Sequence, residues 1–488
     1  MFEQQINLTD VFVSMRKDPV KYKVDEFLVG HLGFLRKKEN IESCCRNEPE
    51  NLEFPAEDLA NFWELNHAYL IIGSAFMASL IYAAYLICCK PLNRVLPYEA
   101  VGFEHLKSEK MTSKERAFRV NQMNKKKELG EIPPVFPNGW FALMESNDLA
   151  KNSSKFIQAL GTGLFLVPKG ENFAVFRDAD GEVHVLDAYC PHLGANLAIG
   201  GKVRGNCIEC PFHGWLFDGN SGQCTSIPYS SSKPPVQAKV KSWPCAESLG
   251  FIMVWYHAEA EEPFWQPPQI KGVSDGEYSF CGRSEHYIST HIQDLPENGS
   301  DVAHLNVLHT AGIPAGPRLV DLHGFLSKIF THSWTASWKQ GDPSHTSTVA
   351  LTHTGKVLNW RVPFMDIISN IEQKGPGIVI LRFDSLFGLG QGVLVQTVTP
   401  VEPLMQRMVH RFYFSNPWLK IVGKIFLYGE NVQLERDIAV WNSKKFIRHP
   451  LLVKEDKMIL AYRRWFSQFY SENSPTLESL SKKKCLDW

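Results

Sequence analysis

The chain has 488 residues, of which 44% are hydrophobic and 21% are charged, and its formal net charge is −1. This length allows two or three domains with sizeable cores. A near-neutral charge lacks the basic footprint of a nucleic-acid-binding protein, so no nucleic-acid partner is expected. The 11 cysteines show no disulfide framework, which favours a reducing compartment.

The first predicted element is an uncharged run of 22 residues, 68–89, which is long enough to cross a bilayer. A buried core helix is the alternative, but Tyr69 and Tyr85 near the two ends and Lys90 directly after the run favour a membrane anchor. The run lies too far from the N-terminus to be a cleaved signal peptide. Acidic residues precede it and basic residues follow it, which predicts a single-pass protein whose C-terminal domains face the cytosol.

Two segments without an identified chemistry flank this run. Residues 1–67 are predicted to form an N-terminal tail, and residues 90–132 a basic linker. Eight residues between 107 and 128 are Lys or Arg. Such a segment is usually a solvated helix or linker, but beside a membrane it could also contact anionic headgroups.

Two short cysteine–histidine pairs follow, Cys190-Pro-His192 and Cys210-Pro-Phe-His213, with 17 residues between them. One thiolate and one imidazole from each of two loops form the ligand set of a Rieske [2Fe-2S] centre. A structural zinc site is the alternative, but zinc fingers do not mix the two residue types within each pair. The sequence therefore predicts a Rieske domain of short antiparallel strands over residues 133–262, with these four residues as cluster ligands.

A second candidate metal site contains His304 and His309, and Asp301, three residues before His304, would lie on the same helix face as His304. On an ideal helix the two histidines point about 140° apart, so one metal can reach both only if the helix bulges or ends there. Gly312 and Pro314 supply such an ending. Two imidazoles and one carboxylate, with open positions, bind non-haem Fe²⁺ for oxygen activation.

The third ligand of this predicted site is expected from the catalytic region, residues 270–465. That region mixes helices with strands such as 377–383 and 406–415, which favours an antiparallel sheet packed on helices. Asp437, on a late predicted helix, is the candidate ligand, although by pattern alone an acidic residue there more commonly lies on a solvated face. Residues 466–488 are predicted to be a C-terminal tail.

These motifs resemble those of a known family. The cluster pairs resemble Rieske oxygenases rather than respiratory Rieske proteins, because Ala195 and Phe212 stand where the respiratory type has its bridging cysteines. Residues 294–298 (Asp-Leu-Pro-Glu-Asn), His304, residues 307–310 (Val-Leu-His-Thr) and the N-terminal apolar run resemble the Neverland family of animal cholesterol 7-desaturases. Bacterial 3-ketosteroid 9-alpha-hydroxylases are more distantly similar.

The resemblance implies an α+β fold in which a transmembrane helix precedes the antiparallel Rieske domain and a helix-grip catalytic domain. It implies that His304, His309 and Asp437 bind the mononuclear Fe²⁺. It further implies that Asp301 is an electron bridge, which hydrogen-bonds an iron histidine and, across the subunit boundary of a homotrimer, a cluster histidine such as His213.

The same resemblance implies the reaction and its setting. A flavin-dependent reductase would deliver electrons from NAD(P)H, and cholesterol would be desaturated at C7–C8 to 7-dehydrocholesterol. The expected location is the endoplasmic reticulum, in biosynthesis of a steroid hormone of the ecdysteroid or dafachronic acid type.

Two alternatives remain open at this stage. One is a sterol or lipid hydroxylase of the same superfamily, because hydroxylation begins in the same way as desaturation. The other is a membrane-anchored Rieske electron carrier without oxygen chemistry. Five aromatic residues could line a substrate pocket, although aromatic residues on strands belong to the core far more commonly: Trp334, Trp338, Phe383, Phe387 and Phe412.

Overall fold

The structure is a computed structural model that describes residues 56–106, 111–162 and 169–482. The chain falls into two units, Met1–Phe76 and Met77–Trp488, and every element after the first helix lies in the second unit. Residues 1–55, which make up most of the predicted N-terminal tail, lie outside the described residues.

The predicted anchor lies within a long helix, α1 (Ala56–Ala84), which continues as a π-helical turn, Tyr85–Cys89. The stretch Ile71–Cys89 has a mean hydropathy of 2.0 and none of it is buried, so its length and composition would allow it to cross a bilayer. The helix begins before the uncharged run because residues 56–67 include good helix formers such as Ala, Glu and Leu.

The linker that follows is folded where the structure describes it. It contains β1 (Leu92–Val95) and α2 (Ser113–Lys125), and α2 begins with a capping box between Thr112 and Glu115. The Lys127 ammonium donates hydrogen bonds to two backbone carbonyls of the catalytic region, those of Ser289 and Trp441. This part of the linker therefore packs on the catalytic region.

The cysteine–histidine pairs lie among ten strands arranged in three small antiparallel sheets, with the orders β10-β11-β2, β3-β4-β5 and β6-β7-β8-β9. Strands β4 and β5 form an antiparallel hairpin. The strands are β2 (Gly139–Glu145), β3 (Ser153–Thr162), β4 (Lys169–Arg177), β5 (Val183–Asp187), β6 (Lys202–Arg204), β7 (Cys207–Glu209), β8 (Leu216–Asp218), β9 (Cys224–Ser226), β10 (Cys245–Ser248) and β11 (Phe251–Tyr256).

The catalytic region is a mixed sheet-and-helix domain built on one nine-stranded sheet, with the order β1-β12-β19-β18-β17-β16-β14-β13 and β15 paired to β14. All pairs are antiparallel except β1 with β12. Its elements are α3 (Lys271–Ser274), β12 (Ser279–Ile288), α4 (Asp294–Glu297), α5 (Val302–Leu308), α6 (Leu326–Ile329), β13 (Phe330–Gln340), β14 (Thr346–Val357), β15 (Trp360–Arg361), β16 (Ile367–Lys374), β17 (Ile378–Phe383), β18 (Gly392–Glu402), β19 (Met405–Phe414), α7 (Lys420–Trp441), α8 (Lys457–Phe466) and α9 (Leu477–Lys482).

Helix α7 packs closely on the sheet. A Cβ atom on Gly423 would lie 2.5 Å from the Cys281 sulfur, so glycine lets the helix approach β12. Phe426 joins Phe383 and Phe412 in a buried cluster between helix and sheet. This contact holds the part of α7 that carries Asp437 over the sheet.

The core extends beyond residue 465. Phe466 and Phe469, in the segment expected to be a tail, are buried together with Tyr462 and Trp465. Their spacing of three and four residues places these aromatic side chains on one side of α8 and the turn after it. The described part of the C-terminal segment is therefore integral to the domain.

Candidate metal centres and substrate cavity

Two loops of the same shape carry the cysteine–histidine pairs. In each loop, the cysteine N–H donates a hydrogen bond to the backbone carbonyl of the residue five positions later. The N–H of the glycine four positions after the cysteine donates a hydrogen bond to the cysteine carbonyl. The two glycines, Gly194 and Gly214, have φ angles of +75° and +74°, a conformation that favours glycine. The local sequence thus turns both loops sharply around Cys190 and Cys210.

The four side chains of these loops face one another. Both thiols are buried, the Cys210 side chain contacts the Cys190 thiol, and burial raises the pKa of Cys190 to about 11. The rings of His192 and His213 are half-buried, with their centroids 4.7 Å apart, and His192 Nδ1 is buried without a hydrogen-bond partner among the described residues. Two buried thiols and two half-buried imidazoles that face one another fit the ligand set of a [2Fe-2S] cluster.

The second site lies between α5 and α7. Helix α5 ends at Leu308, so His309 is its C-cap and is free of the helical repeat that would turn it away from His304. The potential ligand atoms of His304, His309 and Asp437 all lie within 4.8 Å of one another. His309 Nε2 is 3.0 Å from an Asp437 carboxylate oxygen. Two imidazoles and one carboxylate at this spacing fit a mononuclear Fe²⁺.

The spacing of Asp301 and His304 predicts that both lie within one helix. Asp301 is instead the N-cap residue of α5, directly before the helix begins. Its carboxylate accepts hydrogen bonds from the N–H groups of Ala303 and His304, at 3.1 and 3.2 Å. Its backbone carbonyl accepts from His304 Nδ1, which leaves Nε2 for a metal. Burial opposes ionisation of Asp301, but its interactions with His304 outweigh burial and hold the pKa of Asp301 below its usual value.

Two residues of this site were not found by sequence reasoning. His309 Nδ1 donates to the Gln433 side-chain oxygen at 2.8 Å, and Arg436 donates to the same oxygen at 2.8 Å. The fully buried Arg436 also donates to the carbonyls of Ala311 and Gly316, so it ties the loop after α5 to α7. The available signal was the spacing of Gln433, four residues before Asp437 and hence on the same helix face.

A large cavity extends from the three candidate ligands across one face of the sheet. Alternate residues of β16 line it, as the period of a strand requires. Its empty volume, including the open mouth, is about 1300 Å³. The walls are mainly apolar and include Leu295, Leu305, Trp334, Ala336, Trp338, Val349, Leu351, Ile367, Ile371, Val379, Leu381, Phe383, Leu394, Met408, Phe426 and Leu434.

The aromatic residues suggested for this cavity divide into two groups. Trp334, Trp338 and Phe383 line it, whereas Phe387 and Phe412 are not among its lining residues in the described part of the chain. Phe412 is instead buried beneath α7.

A further acidic side chain that was not found from the sequence, that of Glu430, lines the cavity and interacts electrostatically with His309 and Asp437. Glu430 lies seven residues before Asp437 on α7 and therefore on nearly the same face. It has no hydrogen-bond partner among the described residues, and burial raises the pKa of Glu430 to about 7. A carboxyl on the cavity wall that lacks a hydrogen-bond partner is available to a ligand, because burial without a partner is unfavourable.

Comparisons with known proteins match two adjacent regions of the chain to protein families. Residues 139–244 match the Rieske [2Fe-2S] domain, and residues 254–470 match the 3-ketosteroid 9alpha-hydroxylase C-terminal domain. The chain is 43% identical to cholesterol 7-desaturase nvd 1 of Ciona intestinalis, over 86% of this chain and 87% of that protein. It is 44% identical to cholesterol 7-desaturase nvd of Xenopus laevis, over 76% and 80%. Among solved structures, Pseudomonas putida CBB5 NdmA with caffeine has a similar fold, with a TM-score of 0.50, 18% identity and coverage of 69% and 94%.

Proposed function

Because this chain belongs to the cholesterol 7-desaturase family of Rieske oxygenases, we propose that it introduces the C7–C8 double bond of cholesterol and releases 7-dehydrocholesterol. Two hydrogen atoms leave the sterol, NAD(P)H supplies two electrons, and dioxygen is reduced to two molecules of water. The protein is an oxidoreductase with a [2Fe-2S] cluster and a mononuclear non-haem iron.

Seven residues would hold these two groups. Cys190, His192, Cys210 and His213 would bind the cluster, and His304, His309 and Asp437 the iron. Bound there, the cluster supplies single electrons and the ferrous ion, with open positions, activates dioxygen. The roles of the surrounding residues follow from their contacts: Asp301 fixes the His304 ring through Nδ1, and Gln433 fixes the His309 ring.

The observation that carries this proposal is an apolar cavity that ends at the three iron ligands. A sterol is a rigid apolar molecule with a single hydroxyl group, and its C3 and C7 belong to adjacent rings. Glu430 and Asp437 are separated by seven residues of helix, roughly 10 Å along its axis. Glu430 is therefore placed to accept a hydrogen bond from the 3-hydroxyl group when C7 lies near the iron site.

The setting of the reaction belongs to the same proposal. The apolar end of α1 supports a single-pass membrane protein of the endoplasmic reticulum, with its catalytic domains in the cytosol and within reach of a flavin-dependent NAD(P)H reductase. The partial exposure of His192 and His213 supports electron transfer from the cluster of one protomer to the iron of the next in a homotrimer. In this arrangement His213 would meet Asp301 of the neighbouring chain.

Labelled dioxygen tests the reaction. The full-length protein with a reductase, NAD(P)H, cholesterol and ¹⁸O₂ is expected to yield unlabelled 7-dehydrocholesterol and labelled water. The second candidate, a sterol hydroxylase, is favoured by the match of residues 254–470 and would place the label in the sterol. A product with labelled oxygen would contradict the desaturase.

A variant pair tests the remaining alternative, an electron carrier. His304→Ala is expected to abolish sterol conversion while the cluster is still reduced, whereas His323→Ala, at an exposed histidine outside the site, is expected to retain conversion. Equal sterol conversion by both variants would contradict the role of His304.

A further inference from the structure

An exposed apolar surface lies at one end of the nine-stranded sheet. Three connecting segments lie there, and the first of them contains the short strand β15: residues 358–366, 384–391 and 415–419. The strand register places them together, because Phe383 pairs with Gly392 and Gly392 pairs with Phe414 at the ends of β17, β18 and β19. β14 and β16 end on the same side, since His353 pairs with Ile367. We call these three loops the apolar loop face.

Large apolar side chains of this face project into solvent. Trp418 is 92% exposed, Trp360 80% and Phe364 68%, and Leu358 and Leu389 are also exposed. Large exposed apolar side chains that lie at one end of a domain mark a surface that binds a partner or a membrane. Tryptophan is enriched where a protein meets the membrane–water interface.

The apolar helix ends at the same side of the sheet. β1 begins at Leu92, three residues after the π-helical turn, and Leu92 pairs with Gly282 near the start of β12. The start of β12 is on the loop side, because Ser279 pairs with Phe414. Lys424 of α7 donates hydrogen bonds to the carbonyls of Leu86 and Ile87, at 2.8 and 2.5 Å. These contacts hold the end of the apolar helix beside the loop that carries Trp418.

The cavity also reaches this end of the molecule. Ile367 is the first residue of β16, Phe383 is the last residue of β17, and both line the cavity together with Phe426. Asp437 lies eleven residues further along α7, roughly 16 Å from Phe426 along the helix axis. The cavity therefore extends from the loop side of the sheet to the iron ligands.

We propose that the apolar loop face rests in the interface of the bilayer that the apolar helix crosses, and that sterol passes from the lipid between these loops into the cavity. The lipid contact stands on the exposed side chains, the tethered helix end and the proposed membrane span. The sterol route rests, in addition, on the proposed function.

Photo-cross-linking tests the lipid contact without any activity assay. The full chain is placed in phosphatidylcholine vesicles that contain a phosphatidylcholine with a diazirine in its acyl chain. After irradiation, lipid adducts are expected on peptides that contain Trp360 and Trp418, and not on those with Val236 or Leu451, which are equally apolar and exposed but lie elsewhere.

Two outcomes would overturn the lipid contact. One is labelling confined to the helix residues 71–89. The other is protein–protein cross-links between copies through the apolar loop face in place of lipid adducts, which would make this face an interface between copies.

A double variant, Trp360→Ser with Trp418→Ser, tests the sterol route. Loss of two interfacial side chains is expected to raise the KM for cholesterol in vesicles about tenfold, with kcat unchanged. The KM for cholesterol delivered by cyclodextrin is expected to stay the same, and Leu451→Ser to change neither value. An equal effect on both delivery forms would overturn the route. Absence of all sterol turnover would contradict the proposed function. The cross-linking result would still test the lipid contact, because it does not depend on turnover.

Discussion

Three polar side chains on one face of α7 contact different parts of the site. Asp437 faces the two histidines, Gln433 bonds the outer nitrogen of His309, and Glu430 faces the cavity. Their spacing of three and four residues keeps them in a line along the helix. The proposed metal ligand, its supporting residue and the proposed substrate contact can therefore be altered one at a time.

Substitution of Gln433 tests the support of His309. Gln433→Leu removes the acceptor of the His309 N–H, and we expect iron affinity to fall by roughly 10- to 100-fold, as for other residues that orient a metal-bound histidine. The measurement is Fe²⁺ binding to the apoprotein. Gln237→Leu, at an exposed position of the Rieske domain, is the matched control. Unchanged iron affinity in Gln433→Leu would contradict this role.

Substitution of Glu430 tests the contact with the sterol hydroxyl. Glu430→Leu is expected to raise the KM for cholesterol about tenfold, since a hydrogen bond to a carboxylate contributes about 1.5 kcal/mol or more. The KM for cholest-5-ene, which lacks the hydroxyl group, should change little in Glu430→Leu. Comparison of the two KM values separates hydroxyl recognition from a general change of the cavity, because a general change would affect both substrates equally.

At the scale of elements, the short helix α5 is defined by both of its ends. Asp301 caps the first turn, and the helix stops at Leu308, so that His309 can turn toward His304. A helix of seven residues is marginal alone, and its position depends on the cap and on packing against neighbouring strands. The geometry of the iron site is thus set by where this helix begins and ends.

Two substitutions at Asp301 separate the cap from the negative charge. Asparagine caps a helix about as well as aspartate, whereas alanine costs about 1 kcal/mol. We therefore expect Asp301→Ala to lower the free energy of unfolding by about 1 kcal/mol, and Asp301→Asn to leave it nearly unchanged, in urea denaturation. Both variants should slow electron transfer from the reduced cluster to the iron in a single turnover. Normal transfer in Asp301→Asn would show that the charge has no part in it.

What the sequence could predict at this scale depended on whether the signal was local. The end of the helix near His309 could be predicted because Gly312 and Pro314 are close by. The two cluster loops could be predicted because each cysteine lies next to its own proline, histidine and glycine. Asp437 needed the family resemblance, since it is 128 residues from His309 along the chain. Trp334, Trp338 and Phe383 were suggested from the sequence and line the cavity, but Glu430 and the rest of the walls could not be predicted, because they depend on how α7 and six strands converge.

At the scale of the whole molecule, each chain carries both redox sites, and the proposed homotrimer determines which pairs of sites exchange electrons. The two proposed cluster histidines are only half-buried, whereas the two cysteines are buried. Partly exposed histidine ligands are suited to deliver electrons across a subunit boundary. In a cyclic assembly every chain then serves as donor to one neighbour and acceptor from the other.

Complementation between two inactive variants tests this exchange. His213→Ala removes a cluster ligand and His304→Ala removes an iron ligand, so each variant alone should convert no sterol. In a cyclic trimer assembled from equal amounts of both, an intact cluster faces an intact iron at about one quarter of the boundaries, which predicts about one quarter of the wild-type rate. Transfer within one chain predicts no activity, because no chain in the mixture has both sites. The measurement is sterol conversion by the co-expressed, co-purified complex, with separately purified variants mixed afterwards as the control. A complex that contains both variants and lacks activity would contradict transfer between protomers.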